Sequence, residues 1–231
     1  MTVIQRLSVV IIAAVLPFAA GEARAAGPSC HCFRDRDYDP ARPEKSDEYL
    51  LATAANTLLS AAYGVPKRAI VEARMSGTSG EDLWISTYAA RRQRAEAGSL
   101  LKARAAAASW REVFRTRGGN LESLGPRVTA AVAGGSGDEP LSRIAAAETL
   151  FARLGTPWGE LDALSDGGAT LQEMVLASLI GRWSSRAAPG VYADVRAGKT
   201  GWSLSLAGVG RVPKQMEVEV PKTLRPDPAP R

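Results

Sequence analysis

The chain has 231 residues, of which 45% are apolar and 6% aromatic, and its formal net charge is +5. That apolar share can bury a core, so wholesale disorder is excluded, and the length accommodates one large or two small domains. Alanine dominates, and together with Leu, Arg and Glu it favours helix over strand, which predicts an all-α fold.

Residues 1–25 read as a signal peptide. Arg6 supplies the positive start, residues 7–20 the apolar run, and Ala23-Arg24-Ala25 a cleavage site that leaves a chain beginning at Ala26. The run is too short to span a bilayer, and no later stretch approaches the needed length. The expectation is an exported protein, periplasmic or extracellular, with no transmembrane segment after signal removal. An exported location argues against nucleic acid as a partner.

Residues 26–45 form an arm rich in proline (Pro28, Pro40 and Pro43) that carries Cys30-His31-Cys32, the only two cysteines and the only histidine of the chain. Three chemistries fit this triplet. The two thiols can pair with each other in an oxidising compartment, closing a small and easily reduced ring. Two thiolates and an imidazole can hold Cu or Zn, with a further ligand from Asp35, Asp37, Asp39 or another chain. The thiols can also cross-link to a partner, giving a disulfide-linked dimer.

From residue 46 the chain reads as two tandem copies of a roughly four-helix unit, 46–133 and 138–212, joined by a glycine linker at 134–137. Residues 46–118 lie over 137–210 at an offset of 91 positions, slipping to 92 near the end. Asp47-Glu48 then meets Asp138-Glu139, Gly64 meets Gly155, Pro66 meets Pro157, Gly77 meets Gly168, Arg91 meets Arg182 and Trp110 meets Trp202. Ser46 or Asp47 is expected to cap the first helix, which Gly64 stops. Pro66 suits the first turn of a second helix running to Met75. Ser79-x-x-Asp82 and Thr170-x-x-Glu173 resemble capping boxes for the third helix of each unit. Gly98 and Pro189-Gly190 are expected to end those helices. An extra helix is expected over 121–133. The tail, 213–231, is proline-rich and reads as flexible, with enough alternation over 216–220 for one short strand.

The basic excess is local. Arg91, Arg92, Arg94, Lys102, Arg104, Arg111, Arg115 and Arg117 stand against Glu96 and Glu112 in 27 residues. Such a face suits an anionic envelope component or an acidic envelope protein. Trp158 aligns with Lys67 and Trp183 with Arg92, so both tryptophans are expected on the outside of their unit. There they pack between the copies or form an exposed aromatic platform.

Enzymatic motifs are missing. With one histidine there is no independent Ser-His-Asp set, and no G-x-S-x-G, H-E-x-x-H, phosphate-cradling loop or EF-hand is present. The paired acids Asp47-Glu48 and Asp138-Glu139 sit at expected helix starts, where the helix dipole accounts for them. The reading is therefore an exported, non-enzymatic helical interaction or scaffold protein of the cell envelope, binding through Arg91, Arg92 and Arg94 or through Trp158 and Trp183. The alternative is a metal-binding or thiol-redox protein acting through Cys30, His31 and Cys32.

Overall fold

Runs of alanine and leucine broken by glycine and proline give short helices, and the computed structural model, which describes residues 44–117 and 120–227, is built of them. In chain order these are α1 (Glu44–Tyr63), α2 (Lys67–Met75), α3 (Gly80–Gln93), α4 (Ala97–Ala105), α5 (Trp110–Thr116), a 3-10 turn (Leu121–Leu124) and α6 (Pro126–Ala133). Then come α7 (Asp138–Thr149), which runs on into a π turn (Leu150–Leu154), α8 (Trp158–Asp166), α9 (Leu171–Ser184), α10 (Ala188–Arg196), α11 (Trp202–Gly208), a second 3-10 turn (Pro213–Gln215) and α12 (Met216–Thr223). Among the described residues there is no strand. The arm with Cys30, His31 and Cys32 lies outside the described residues.

Local chemistry fixes the starts of the two most buried helices. The Ser79 hydroxyl accepts from the Asp82 amide at 2.9 Å and opens α3. Thr170 opens α9 with a full capping box, accepting from the Glu173 amide while Glu173 Oε2 accepts from the Thr170 amide at 2.8 Å. Each of these helices ends on a non-glycine residue in the left-handed region, Arg94 at φ 53° and Ser185 at φ 55°. Such a residue costs about 1–2 kcal/mol, so surrounding packing must hold it there. The helices therefore stop before Gly98 and Pro189, not at them, and Pro189 instead sits in the first turn of α10, where it lacks no needed donor.

The cores cross the sequence boundary. One apolar cluster gathers around α9, whose residues 174–181 are all buried, and takes in Leu50, Ala54 and Leu58 of α1 together with Trp202 and Leu206 of α11. The other gathers around α3 and takes in Trp110, Val113 and Phe114 of α5, Val128 and Val132 of α6, and Leu141 and Ala145 of α7. Helix α1 thus packs chiefly on α9, α11 and α12, while α7 packs chiefly on α3. Each fully buried leucine contributes roughly 1.5–3 kcal/mol, so α1 is committed to the later half of the chain.

The paired acids follow the same exchange. Asp47 Oδ2 accepts from the Trp202 amide at 3.0 Å, and Asp47 Oδ1 accepts from the Ser203 amide at 2.8 Å and its hydroxyl at 2.6 Å. Asp138 Oδ1 accepts from the Trp110 amide at 3.0 Å. Both aspartates therefore cap helices, as the sequence suggested, but each caps a helix of the other passage. Asp47 does not cap α1, which already begins at Glu44.

The tail differs from its expectation. Residues 216–220 form helix instead of a strand, because Met216 and Val220 are four residues apart on one buried face of α12, while Val218 between them is 55% exposed. Helix α12 lies on α1, so the flexible reading fails over Pro213–Thr223.

Candidate functional site

Helices α3, α6, α7 and α8 bring together a group of charged and aromatic side chains. Gly125, at φ 86°, joins the 3-10 turn to α6, and its backbone passes close under three side chains. A Cβ there would stand 3.0 Å from Arg92 Nη2, 3.6 Å from Tyr88 Oη and 3.9 Å from Glu148 Oε1. The positive φ favours glycine, and an added Cβ would press on the movable end of Arg92. Tyr88 Oη donates to the Leu124 carbonyl at 2.5 Å and accepts from Arg92 Nε at 3.3 Å. Burial pushes the Tyr88 phenol up to about 12.

Glu148 is half-buried on α7 and makes no hydrogen bond or ion pair among the described residues. Burial raises its pKa, and the nearby guanidiniums of Arg92 and Arg127 pull it partly back. Burial opposes the Arg92 charge, but its Tyr88 bond and the Glu148 field outweigh that, and its pKa is raised. On the same side, Tyr63 shares a hydrogen bond with Thr149 Oγ1 at 2.6 Å, and burial still holds its phenol well above the usual tyrosine range.

Beside Glu148 lies an aromatic stack. The π turn adds a residue to the end of α7, with Leu150 and Leu154 turned inward and Phe151 left 43% exposed. Phe151 stacks on Trp158 with ring centroids 4.8 Å apart and planes 22° apart. The Arg127 guanidinium sits 3.8 Å from the Trp158 centroid and is held by Asp162 through contacts of 2.7 and 3.3 Å. A cavity of about 120 Å³ between Arg127, Ile144, Trp158 and Met174 adjoins the stack. The arrangement offers a flat apolar face with a cation, a carboxylate and a second arginine at its edge. Such a surface stacks on the apolar face of a ring or a proline and hydrogen-bonds its polar rim. The group includes neither a cysteine nor a histidine, and among the described residues no three His, Cys, Asp or Glu side chains cluster as metal ligands do.

The residues expected to bind are scattered. Arg91 donates from Nε and Nη2 to Asp227 Oδ2 at 2.8 and 2.5 Å. Arg92 belongs to the group just described. Arg94 is the left-handed cap of α3 and is exposed. Further along the basic stretch, Arg104 turns inward to Asp82 at 3.3 Å and Asp138 at 2.7 Å, and Arg117 donates to the Ser99 carbonyl at 2.7 Å. Lys102, Arg111 and Arg115 remain exposed. The basic stretch is thus partly consumed by internal contacts.

The two tryptophans also part company. Trp158, itself half-buried, stacks on the exposed Phe151. Trp183 is covered by α12: its Nε1 donates to Thr223 Oγ1 at 2.9 Å, and Arg211 lies 5.7 Å from its ring centroid. Arg127, Glu148 and Phe151 were not picked out from the sequence. The alignment that marked Trp158 also sets Phe151 opposite Ser60, which is the signal that would have found it. No family model, no curated protein and no solved structure matches the chain.

Proposed function

We propose that this is an exported, non-enzymatic interaction or scaffold protein of the cell envelope, whose contact surface is the stack of Arg127, Trp158 and Phe151 with Glu148 and Arg92 at its edge. The observation that carries the reading is Phe151, a large aromatic 43% exposed yet ordered by stacking on Trp158. Exposed aromatics backed by arginine are the residue types that dominate binding energy at interfaces. Two copies of one helical unit are the scaffold in this reading. Its support is that α2, α3 and α4 recur as α8, α9 and α10 with both ends of each helix 91 positions later.

The test is retention of the full chain on immobilised envelope extract, compared with Phe151→Ser. Covering a phenylalanine contributes roughly 1.5–3 kcal/mol, so the variant should bind about tenfold or more weakly, with little dependence on salt. Retention that survives Phe151→Ser but falls with salt and with charge reversal at Arg94 would move the contact to the basic stretch and overturn the assignment.

A further inference from the structure

The loops that follow α7 and α9 enclose a second cavity, of about 240 Å³, lined by Gly155, Thr156, Glu160, Ser178, Arg182 and Arg186 among others. Ser178 is 2% exposed, and its Oγ has no hydrogen-bond partner. Arg182 is exposed and has no partner among the described residues. The Arg225 guanidinium lies against Gly155 at the rim, where any side chain would collide with it. Two groups in the wall are already engaged: Glu160 Oε2 accepts from the Ala188 amide at 2.7 Å, and Arg186 is held by Asp194 at 2.6 Å.

The residue 91 positions before Arg182 is Arg91, and the structure shows what that arginine does. It holds the carboxylate of Asp227 through two of its nitrogens, at the end of the segment Arg225-Pro226-Asp227. Asp227 lies close enough to Tyr63 to oppose ionisation of its phenol, and Tyr63 is the counterpart of Leu154 in the second cavity. At the counterparts of Glu160 and Arg186 the earlier passage has Ala69 and Ala95. One arginine of the corresponding pair is thus occupied by an aspartate of the chain itself. The other opens on a polar cavity with an unsatisfied hydroxyl.

We propose that the cavity at Ser178 and Arg182 is a binding site for the carboxylate of an acidic peptide, a Pro-Asp segment of the kind that Pro226-Asp227 presents to Arg91. Arg182 supplies a charge-assisted pair to the carboxylate, and the hydroxyls of Ser178 and Thr156 supply neutral donors. This site shares no lining residue with the aromatic stack and does not depend on its assignment.

The experiment is fluorescence anisotropy of the full chain with a labelled, amidated Leu-Arg-Pro-Asp-Pro peptide, beside the same peptide with Asn for Asp and beside free acetate. The Asp peptide should bind about tenfold or more tightly than the Asn peptide. Arg182→Gln should remove that preference, while Arg91→Gln should leave it in place. Equal binding of the two peptides, or a preference that survives Arg182→Gln, would overturn the proposal. Acetate displacing the probe as well as unlabelled peptide does would overturn the peptide assignment. Arg182 is exposed, and the Asp-to-Asn comparison on the unaltered chain needs no variant to fold.

Discussion

Removing the Asp47 carboxylate should destabilise the protein through a helix more than 150 residues away. Helix α11 starts after Gly201, which has no side chain to cap it, so its first amides depend on Asp47. A Cβ at Gly201 would stand 3.1 Å from Asp47 Oδ2, so any other residue there would make the carboxylate shift. Asp47→Ala removes three hydrogen bonds to a charged acceptor, two of them to the amide and hydroxyl of Ser203, which is 1% exposed. A lost cap costs about 0.5–2 kcal/mol, and a further lost hydrogen bond to a charged group about 1.5 kcal/mol or more. Together these give a loss of about 2–4 kcal/mol, or a melting temperature lower by roughly 5–15 °C for a domain of this size. Circular dichroism at 222 nm during urea and thermal unfolding reads both quantities. The exposed neighbour gives the control, Glu48→Ala, expected within about 0.5 kcal/mol of the parent. If Asp47→Ala were as stable as Glu48→Ala, the exchange of first helices between the two passages would lose its support.

Two further outcomes concern hydroxyl groups. Tyr88 has its pKa pushed up to about 12, against about 10 in an unfolded chain. The folded state therefore disfavours the phenolate, so the contribution is fully present below pH 10 and is lost as the pH rises toward 12. Absorbance at 295 nm should show Tyr88 and the still more shielded Tyr63 ionising late, together with loss of helix, and Tyr88→Phe should reduce the alkaline loss of stability. Thr223→Val should remove the partner of Trp183 Nε1, cost about 1 kcal/mol and loosen α12, which is measured as faster amide exchange over Pro213–Thr223 with α3 unchanged.

Much of the helix order was legible because punctuation in this chain is chemically explicit. Ser79, Thr170 and Pro66 each mark a helix start by hydrogen bonding or by fixed φ, and the structure starts helices there. Partner choice was not legible. Periodicity states that α1 has an apolar face but not that the face belongs on α9, and an aspartate at a helix start does not reveal which helix it caps. Alternation misled at Met216, Val218 and Val220, because spacings of two and four coincide over so short a run. At the candidate site the tryptophan was marked and its neighbours were not, since the stack depends on a π turn that no residue in Leu150–Leu154 announces. The Cys30-His31-Cys32 arm remains a sequence expectation outside the described residues.

The claim that the stack of Phe151 and Trp158 is the contact surface is tested most directly by hydroxyl-radical footprinting of the full chain with and without envelope extract. Oxidation of Phe151 should fall severalfold in the presence of the extract while the rates at exposed Met75 and Val218 are unchanged. An unchanged rate at Phe151 under conditions where the protein is bound would contradict that claim.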